Sequence, residues 1–164
     1  MNVFPILLVL ATLLCSLVSG FLFAFAVVVM PGIRALDDGG FIRAFQVMDR
    51  VIQNNQPVFV LTWLGSVVAL VGAAAVGFGQ LDRVGRVLML SAVAVYLLGV
   101  QLPTLAVNVP LNNRLQSVEV ETLDAPALHN AREAFEPRWN RWNLLRTLLS
   151  VLVAAALIVQ VLRL

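Results

Sequence analysis

Two polar clusters interrupt an otherwise apolar chain, and they hold the residues best suited to bind a ligand. The first is residues 108–112, Asn-Val-Pro-Leu-Asn, where a long uncharged run ends. The amides of Asn108 and Asn112 lose hydrogen bonds to water at a membrane boundary unless a partner replaces them. Pro110 lacks an amide hydrogen and frees the carbonyl about one turn earlier. The stretch is either the mouth of a binding site or a helix terminus, since proline and asparagine commonly end helices.

The second cluster precedes the last apolar run and consists of Trp139, Trp142, Asn143 and Arg146. The spacing places both tryptophans and Arg146 on one helical face. The tryptophans fit an interfacial belt or the walls of a pocket. Arg146 lies deepest, and its permanent charge requires a carboxylate, carbonyl groups or an anionic ligand unless it snorkels to the interface.

Three further positions are weaker candidates. Asn55 belongs to the amide run 54–56 at a second membrane boundary. His129 is the single histidine and is either a solvated imidazole or a group for proton transfer or one-sided metal ligation. Cys15 is the single cysteine. Because the chain has one histidine and one cysteine, neither a multi-histidine nor a cysteine-based metal site is expected within one subunit. We therefore predict no metal ligands.

Composition identifies the class of protein. Of 164 residues, 60% are apolar and 12% are charged, and the mean hydropathy is +0.92. These values lie far outside the range of soluble domains and predict an integral membrane protein. All 11 basic residues are arginine, the net charge is +2, and no basic patch indicates nucleic acid as a partner.

Hydrophobic runs predict an all-α fold, a single domain of residues 1–164 built as a four-transmembrane-helix bundle. The expected spans are about 5–30, 57–79, 86–107 and 138–162, with amphipathic helices at about 40–54 and 125–136 in the first and third loops. In the first loop helix, Phe41 and Phe45 fall on the apolar face, and Gln46 and Asp49 fall opposite. The fourth span is expected to start near Pro137, because residues 147–162 alone are too short to cross the bilayer.

Four spans bring the unusual polar residues to the same end of the bundle. We therefore expect a pocket in the mouth of the bundle, covered by the loop helices. The protein is expected to be a multi-pass protein of the cell membrane, in contact with the lipid bilayer. The arginine-dense short turn favours cytoplasmic termini, although the long loops hold more arginine in total.

Residues 108–112, followed about thirty residues later by Trp139, Trp142, Asn143 and Arg146, resemble the anthrone oxygenase-like family of small four-helix membrane proteins. This family is also catalogued as a domain of unknown function. The resemblance covers nearly the whole chain in length and helix order. Some members are associated with the oxidation of an anthrone to an anthraquinone by dioxygen, and others have no assigned activity.

The resemblance implies a pocket for a flat aromatic or quinone-type small molecule. Arg146 would stabilise an anion of the ligand, Asn55, Asn108, Asn112 and Asn143 would orient its oxygens, and Trp139 and Trp142 would hold its rings. A deprotonated anthrone can react with dioxygen without a metal, so no cofactor is required, although a metal or haem stays open. The sequence lacks an obvious general base, and His129, Glu133 or Glu136 would have to fold back from the loop.

Two other classes of function compete with an oxygenase. A non-enzymatic protein could bind a lipid or quinone in the same pocket, or could serve as a small structural subunit of a membrane complex or homo-oligomer. A transporter fits less well, because the chain shows no inverted repeat and no acidic residue within the spans. Replacement of Arg146 by alanine separates an oxygenase, which loses turnover, from a structural protein, which loses folding or assembly.

Overall fold

The computed structural model describes residues 2–164, and every regular element in that range is a helix. Four helices are long and apolar enough to cross a membrane, which indicates a membrane protein and confirms the predicted helical bundle. A fifth, shorter helix connects the first two long ones. In chain order they are α1 (Val3–Ile33), α2 (Asp38–Gln53), α3 (Pro57–Gly77), α4 (Arg83–Gln116) and α5 (Ala125–Leu162).

The core of the bundle forms where α1 packs between α3 and α5. Phe4, Leu8 and Cys15 of α1 are buried and recur at helical spacing, so they form one stripe. Apart from Leu70, the buried face of α3 consists of small residues, and Gly77 leaves room for the ring of Phe4 against the backbone. Large apolar side chains on the outside are exposed, as expected for helices that face lipid acyl chains.

The long helices α1 and α4 contain π-helical turns at Phe25–Val29, Tyr96–Gln101 and Thr104–Asn108. The amide of the residue after each turn, which is Met30, Leu102 or Val109, bonds the carbonyl five residues earlier. The next residue is in every case a proline: Pro31, Pro103 or Pro110. The wider turn accommodates the proline ring and lets the helix continue beyond it.

The helices extend further at one end of the bundle than the hydrophobic runs predict. The third span, expected at 86–107, continues as α4 through Pro110 to Gln116. The loop helix 125–136 and the span 138–162, expected to be separate, form the single helix α5. Pro137 lies inside α5 on its exposed side, where water can bond the carbonyl that Pro137 leaves free.

We call the end of the bundle that carries α2 and residues 117–124 the loop end. Helix α2 packs on the extended parts of α4 and α5. The Gln46 amide donates to the carbonyls of Leu115 (2.8 Å) and Val118 (2.9 Å), and thereby satisfies acceptors at the terminus of α4. In return, the Gln116 amide donates to the Gln46 carbonyl at 2.9 Å. Gln46 and Asp49, expected on the solvent face of α2, are thus buried.

Arg132 of α5 fixes the start of α2. Its guanidinium donates to the carbonyls of Leu36 (3.0 Å) and Arg34 (2.9 Å) and to the carboxylates of Asp38 (3.1 Å) and Glu136 (2.8 Å). The guanidinium also lies over the ring of Phe41, 4.4 Å from the ring centroid. These contacts hold α2 across the loop end of the bundle.

The opposite end, which we call the far end, contains the short turn 78–82. Asp82 caps α4 by accepting a hydrogen bond from the backbone N–H of Gly85 at 2.8 Å, and Arg163 donates to both of its carboxylate oxygens. The Gly85 amide and then the Arg163 charge hold the pKa of Asp82 below its ordinary value. The far end is therefore closed by a helix cap and an exposed ion pair.

Candidate functional site

All five helices contribute to a cavity of about 260 Å³ at the loop end of the bundle. This volume lies near the lower limit of ligand pockets, which are roughly 300–1,000 Å³. Its lining is predominantly apolar and includes six aromatic side chains: Phe21, Phe25, Phe45, Phe59, Trp63 and Trp139. A cavity of this kind suits a flat, hydrophobic molecule with few polar atoms.

The aromatic rings contact one another around the cavity. Phe59 stacks on Trp63 with 5.4 Å between ring centroids, and Phe21 meets Phe59 edge-on at 5.2 Å. Trp139 packs against Phe25 at 5.8 Å and Phe45 at 5.5 Å. Because neighbouring rings restrain one another, the wall is preformed.

Arg146 forms the deep end of the cavity. It lies seven residues beyond Trp139 on α5, which corresponds to about 10 Å along the helix axis. The residue is only 3% exposed. Among the described residues, no carboxylate lies within ion-pairing distance of this guanidinium. The cation is therefore held by neutral groups alone.

Two side chains position the Arg146 guanidinium. Nη1 donates to the Thr104 hydroxyl at 2.7 Å, and Nη2 donates to Asn143 Oδ1 at 3.1 Å. The Asn143 amide donates in turn to the Leu22 carbonyl of α1 at 3.1 Å, just before the π-helical turn Phe25–Val29. The Nε–H of Arg146 is buried and has no partner among residues 2–164. One strong donor at the deep end is thus left without a hydrogen bond.

The amides of the 108–112 stretch lie along the wall between the deep end and the loop end. Asn112 Oδ1 accepts a hydrogen bond from the indole of Trp139 at 2.8 Å, which fixes the plane of that ring. The Asn108 amide donates to the Trp139 carbonyl at 3.4 Å. Asn108 Oδ1 is buried without a partner in the described chain. Asn108 Oδ1 thus resembles Arg146 Nε in lacking a hydrogen-bond partner, but it is an acceptor and not a donor.

A carboxylate, Asp49 of α2, lines the cavity nearer to the loop end. It is 4% exposed and accepts hydrogen bonds from the amides of Asn112 (2.8 Å), Gln53 (2.6 Å) and Gln116 (3.0 Å). The cavity therefore has a cation at one end and an anion at the other, separated by aromatic rings.

Five of the predicted site residues meet at this cavity, namely Asn108, Asn112, Trp139, Asn143 and Arg146. Three do not line it. His129 is exposed and faces Asp38, with 3.1 Å between Nδ1 and Oδ2. Trp142 is half-buried and lies about 60° around α5 from Trp139, outside the stripe of residues 139, 143 and 146.

Asn55 also lies outside the cavity. It is exposed, with a φ angle of 56°, and its N–H bonds the Ile52 carbonyl at the end of α2. Asparagine tolerates this left-handed conformation, so the residue ends the helix. The alternative bases Glu133 and Glu136 are also absent from the lining, and Glu136 bonds Arg132 instead.

Most of the aromatic wall and Asp49 were missed by the sequence interpretation. Phe21, Phe25 and Phe59 lie in apolar runs where nothing distinguishes a cavity wall from a lipid-facing ring. Asp49 carried one signal, since it lies seven residues after the buried Ile42 and four after Phe45, on the flank of the apolar face. Its burial depends on the extension of α4 to Gln116, which the hydrophobic pattern does not show.

Two shallower apolar hollows on the outside of the bundle adjoin the cavity. Both share Phe21 and Phe59 with it. One lies between α1 and α3, and the other is also lined by Met48, Val51 and Ile52 of α2. The cavity wall is thus continuous with the lipid-facing surface.

The polar side chains at the cavity suit the binding of an organic molecule with carbonyl or hydroxyl groups. Among residues 2–164, no three His, Cys, Asp or Glu side chains come together as a metal-binding group. The polar groups of the cavity are one guanidinium, one carboxylate, one hydroxyl, two indole N–H groups and several amides. These groups can orient a carbonyl or hydroxyl compound, stabilise an oxyanion and accept a proton.

Comparison with known proteins supplies a family. A family model described as "Anthrone oxygenase" matches residues 45–156, and this match confirms the resemblance that the sequence motifs indicated. The matched range contains every polar residue of the cavity, from Asp49 to Arg146. No significant match is found among curated proteins or solved structures.

Proposed function

Because the chain belongs to the anthrone oxygenase family, we propose that it binds a flat aromatic carbonyl compound in the aromatic cavity and oxidises it with dioxygen. The observation that carries the proposal is Arg146, a buried cation without a carboxylate partner at the end of an aromatic-walled cavity. A buried, unpaired guanidinium is destabilising, and an anionic or strongly polarised ligand oxygen would compensate its charge.

The ligand lies between the rings of the cavity wall in this proposal. Its oxygen faces Arg146 Nε, and a ligand hydroxyl or water bonds Asn108 Oδ1, so both partnerless atoms acquire partners. Trp139, fixed by Asn112, contacts the ring face. The same cavity would admit a quinone-type molecule, which shares the flat rings and the carbonyl oxygens.

The reaction follows from the acidity of an anthrone. Loss of a proton from its CH₂ carbon leaves the electron pair in the rings, and the negative charge spreads to the carbonyl oxygen beside Arg146. The carbanion then bonds dioxygen and takes up a proton to form a hydroperoxide. The hydroperoxide loses water to give the ketone. One anthrone and one dioxygen thus yield one anthraquinone and one water.

The setting proposed for this activity is the cell membrane, with both termini in the cytoplasm. The proposal is supported by the four apolar helices and by the arginines of the short turn at the far end. The bilayer is then both the solvent of the protein and the reservoir of its hydrophobic ligand. A homo-oligomer or a membrane-protein partner is compatible with the exposed apolar faces.

The test uses the purified protein in lipid nanodiscs with anthrone as the probe. Binding is followed by quenching of tryptophan fluorescence, and turnover by oxygen uptake and anthraquinone formation above the rate in empty nanodiscs. Arg146→Ala should lower turnover about 100-fold or more, the usual effect of losing an oxyanion donor. Arg141→Ala is the matched control, because Arg141 lies exposed on the same helix.

Three results would decide between the candidate functions. Turnover that is unchanged in folded Arg146→Ala contradicts the oxyanion role. Binding without oxygen uptake by the wild-type protein favours a non-enzymatic binder of quinone-type molecules. Absence of binding contradicts the proposal as a whole.

A further inference from the structure

Asp49 is the one carboxylate that lines the cavity in the described part of the chain. Burial of a carboxylate is unfavourable unless hydrogen bonds compensate it. Here α2 supplies the Gln53 donor and α4 supplies Asn112 and Gln116, so two helices converge to hold this group. All three partners are amides that donate, which suits an ionised carboxylate because that form only accepts.

The hydrogen bonds leave one acceptor position of Asp49 free. A carboxylate has about four lone-pair positions, two on each oxygen. Oδ2 accepts from Gln53 and Gln116, whereas Oδ1 accepts from Asn112 alone. Oδ1 therefore keeps one lone pair that can accept a proton, and the three hydrogen bonds hold the carboxylate in a fixed orientation at the cavity.

Asp49 and Arg146 occupy opposite ends of the cavity. Asp49 is bonded to Asn112 and Arg146 to Thr104, two positions of α4 that are eight residues, or about 12 Å, apart along the helix axis. The two groups do not neutralise each other. A conjugated ligand that lies between them can lose a proton at one end while charge accumulates on an oxygen at the other.

We propose that Asp49 is the catalytic base that removes a proton from the aromatic substrate, an inference that rests on the proposed function. In this step the substrate C–H bond breaks, its electron pair stays in the conjugated rings, and an O–H bond forms at Asp49 Oδ1. The charge of the substrate anion lies on the oxygen that Arg146 faces. After dioxygen has bonded to the carbon, the Asp49 proton passes to the peroxide oxygen, and the carboxylate is restored.

A purely structural role for Asp49 makes a different prediction. As a link between α2 and α4, it would affect folding and the shape of the cavity, and through them ligand binding. Proton abstraction would then be normal in any variant that still binds. The two roles are separated by an assay in which proton transfer is measured without oxidation.

The experiment measures deuterium exchange into the CH₂ group of anthrone in D₂O without dioxygen, in nanodiscs, above the rate in empty nanodiscs. Wild-type protein should accelerate the exchange. Asp49→Asn should lower the acceleration about 100-fold or more, as expected for loss of a general base, while tryptophan quenching shows that anthrone still binds. Asp49→Glu, which keeps a carboxylate, should retain part of the exchange even if Asp49→Asn folds poorly.

Glu136→Gln is the matched control, because Glu136 is also a buried carboxylate at the loop end but does not line the cavity. Its exchange should equal that of the wild type. Normal exchange in Asp49→Asn, or equal loss in Glu136→Gln, would overturn the assignment. Wild-type binding without exchange overturns the base but not the pocket, whereas absence of wild-type binding overturns both.

Discussion

At the scale of single residues, the arrangement around Arg146 explains how an arginine can lie within a helical bundle without a carboxylate. Thr104 and Asn143 bond two of its nitrogens, and Asn143 is anchored to the α1 backbone. Neutral partners satisfy donors but leave the positive charge uncompensated. The site is consequently most stable when a negative or strongly polar oxygen enters it.

The contribution of Thr104 can be measured with a matched pair of variants. Thr104→Val removes the acceptor of Arg146 Nη1 at nearly constant shape, and should lower the free energy of unfolding by about 1–3 kcal/mol, because a buried charged donor loses its partner. Unfolding by titration with denaturing detergent gives the value.

Thr12→Val is the control for this experiment. Thr12 bonds the carbonyl four residues earlier at 2.7 Å, as Thr104 does, but has no arginine beside it. Its loss should therefore have the smaller effect. Equal destabilisation by the two variants would show that the helix-internal hydrogen bond, and not the contact with Arg146, is responsible.

The residues of the site differ in how far the sequence could predict them. Arg146, Asn143 and Asn108 were predictable, because polar groups are expensive in an apolar run. Phe21 and Phe59 were not, since an aromatic ring is equally at home in a lipid-facing position. His129 attracted attention by being unique, yet a solvated position beside Asp38 suits an imidazole without any catalytic role.

At the scale of helices, prolines mark the places where the sequence was misleading. An internal proline destabilises a helix by about 3 kcal/mol or more, so ends were expected at Pro110 and near Pro137. The structure continues through both, because a π-helical turn precedes Pro110 and the freed carbonyl near Pro137 faces water. Such compensation depends on the surroundings of a helix, which periodicity alone does not describe.

Arg132 helps to hold the start of α2, and this contribution can be tested. Arg132→Ala removes hydrogen bonds to two carbonyls and two carboxylates, and should lower the stability of the loop end by about 2–4 kcal/mol. Amide hydrogen exchange in α2 should accelerate, while exchange in the apolar spans stays slow.

Arg43→Ala serves for comparison. Arg43 pairs with Glu121 at 3.0 Å, but both side chains are largely exposed, so the expected loss is below about 1 kcal/mol. If α2 exchanges at the wild-type rate in Arg132→Ala, the helix is held by the packing of Phe41 and Phe45 and not by the guanidinium.

At the scale of the whole molecule, the two ends of the bundle differ in structure. The far end is closed by the Asp82 cap and its ion pair with Arg163. The loop end collects the cavity, the buried polar groups and α2. Four spans were predictable from hydropathy because the bilayer fixes their length, and the number of spans alone placed the polar clusters together.

The shared residues Phe21 and Phe59 connect the cavity with the hollows on the lipid-facing surface. A ligand that arrives by this route is taken from the acyl-chain region and not from water. Occupancy of the site is then governed by the mole fraction of the ligand in lipid.

Turnover should consequently show surface dilution in proteoliposomes. When lipid is increased tenfold at fixed amounts of protein and anthrone, the rate below saturation should fall nearly tenfold, although the molar concentrations in the sample are unchanged. A rate that does not change with the amount of lipid would contradict uptake of anthrone from the bilayer. For a protein of this architecture, affinity is a property of the membrane as much as of the protein.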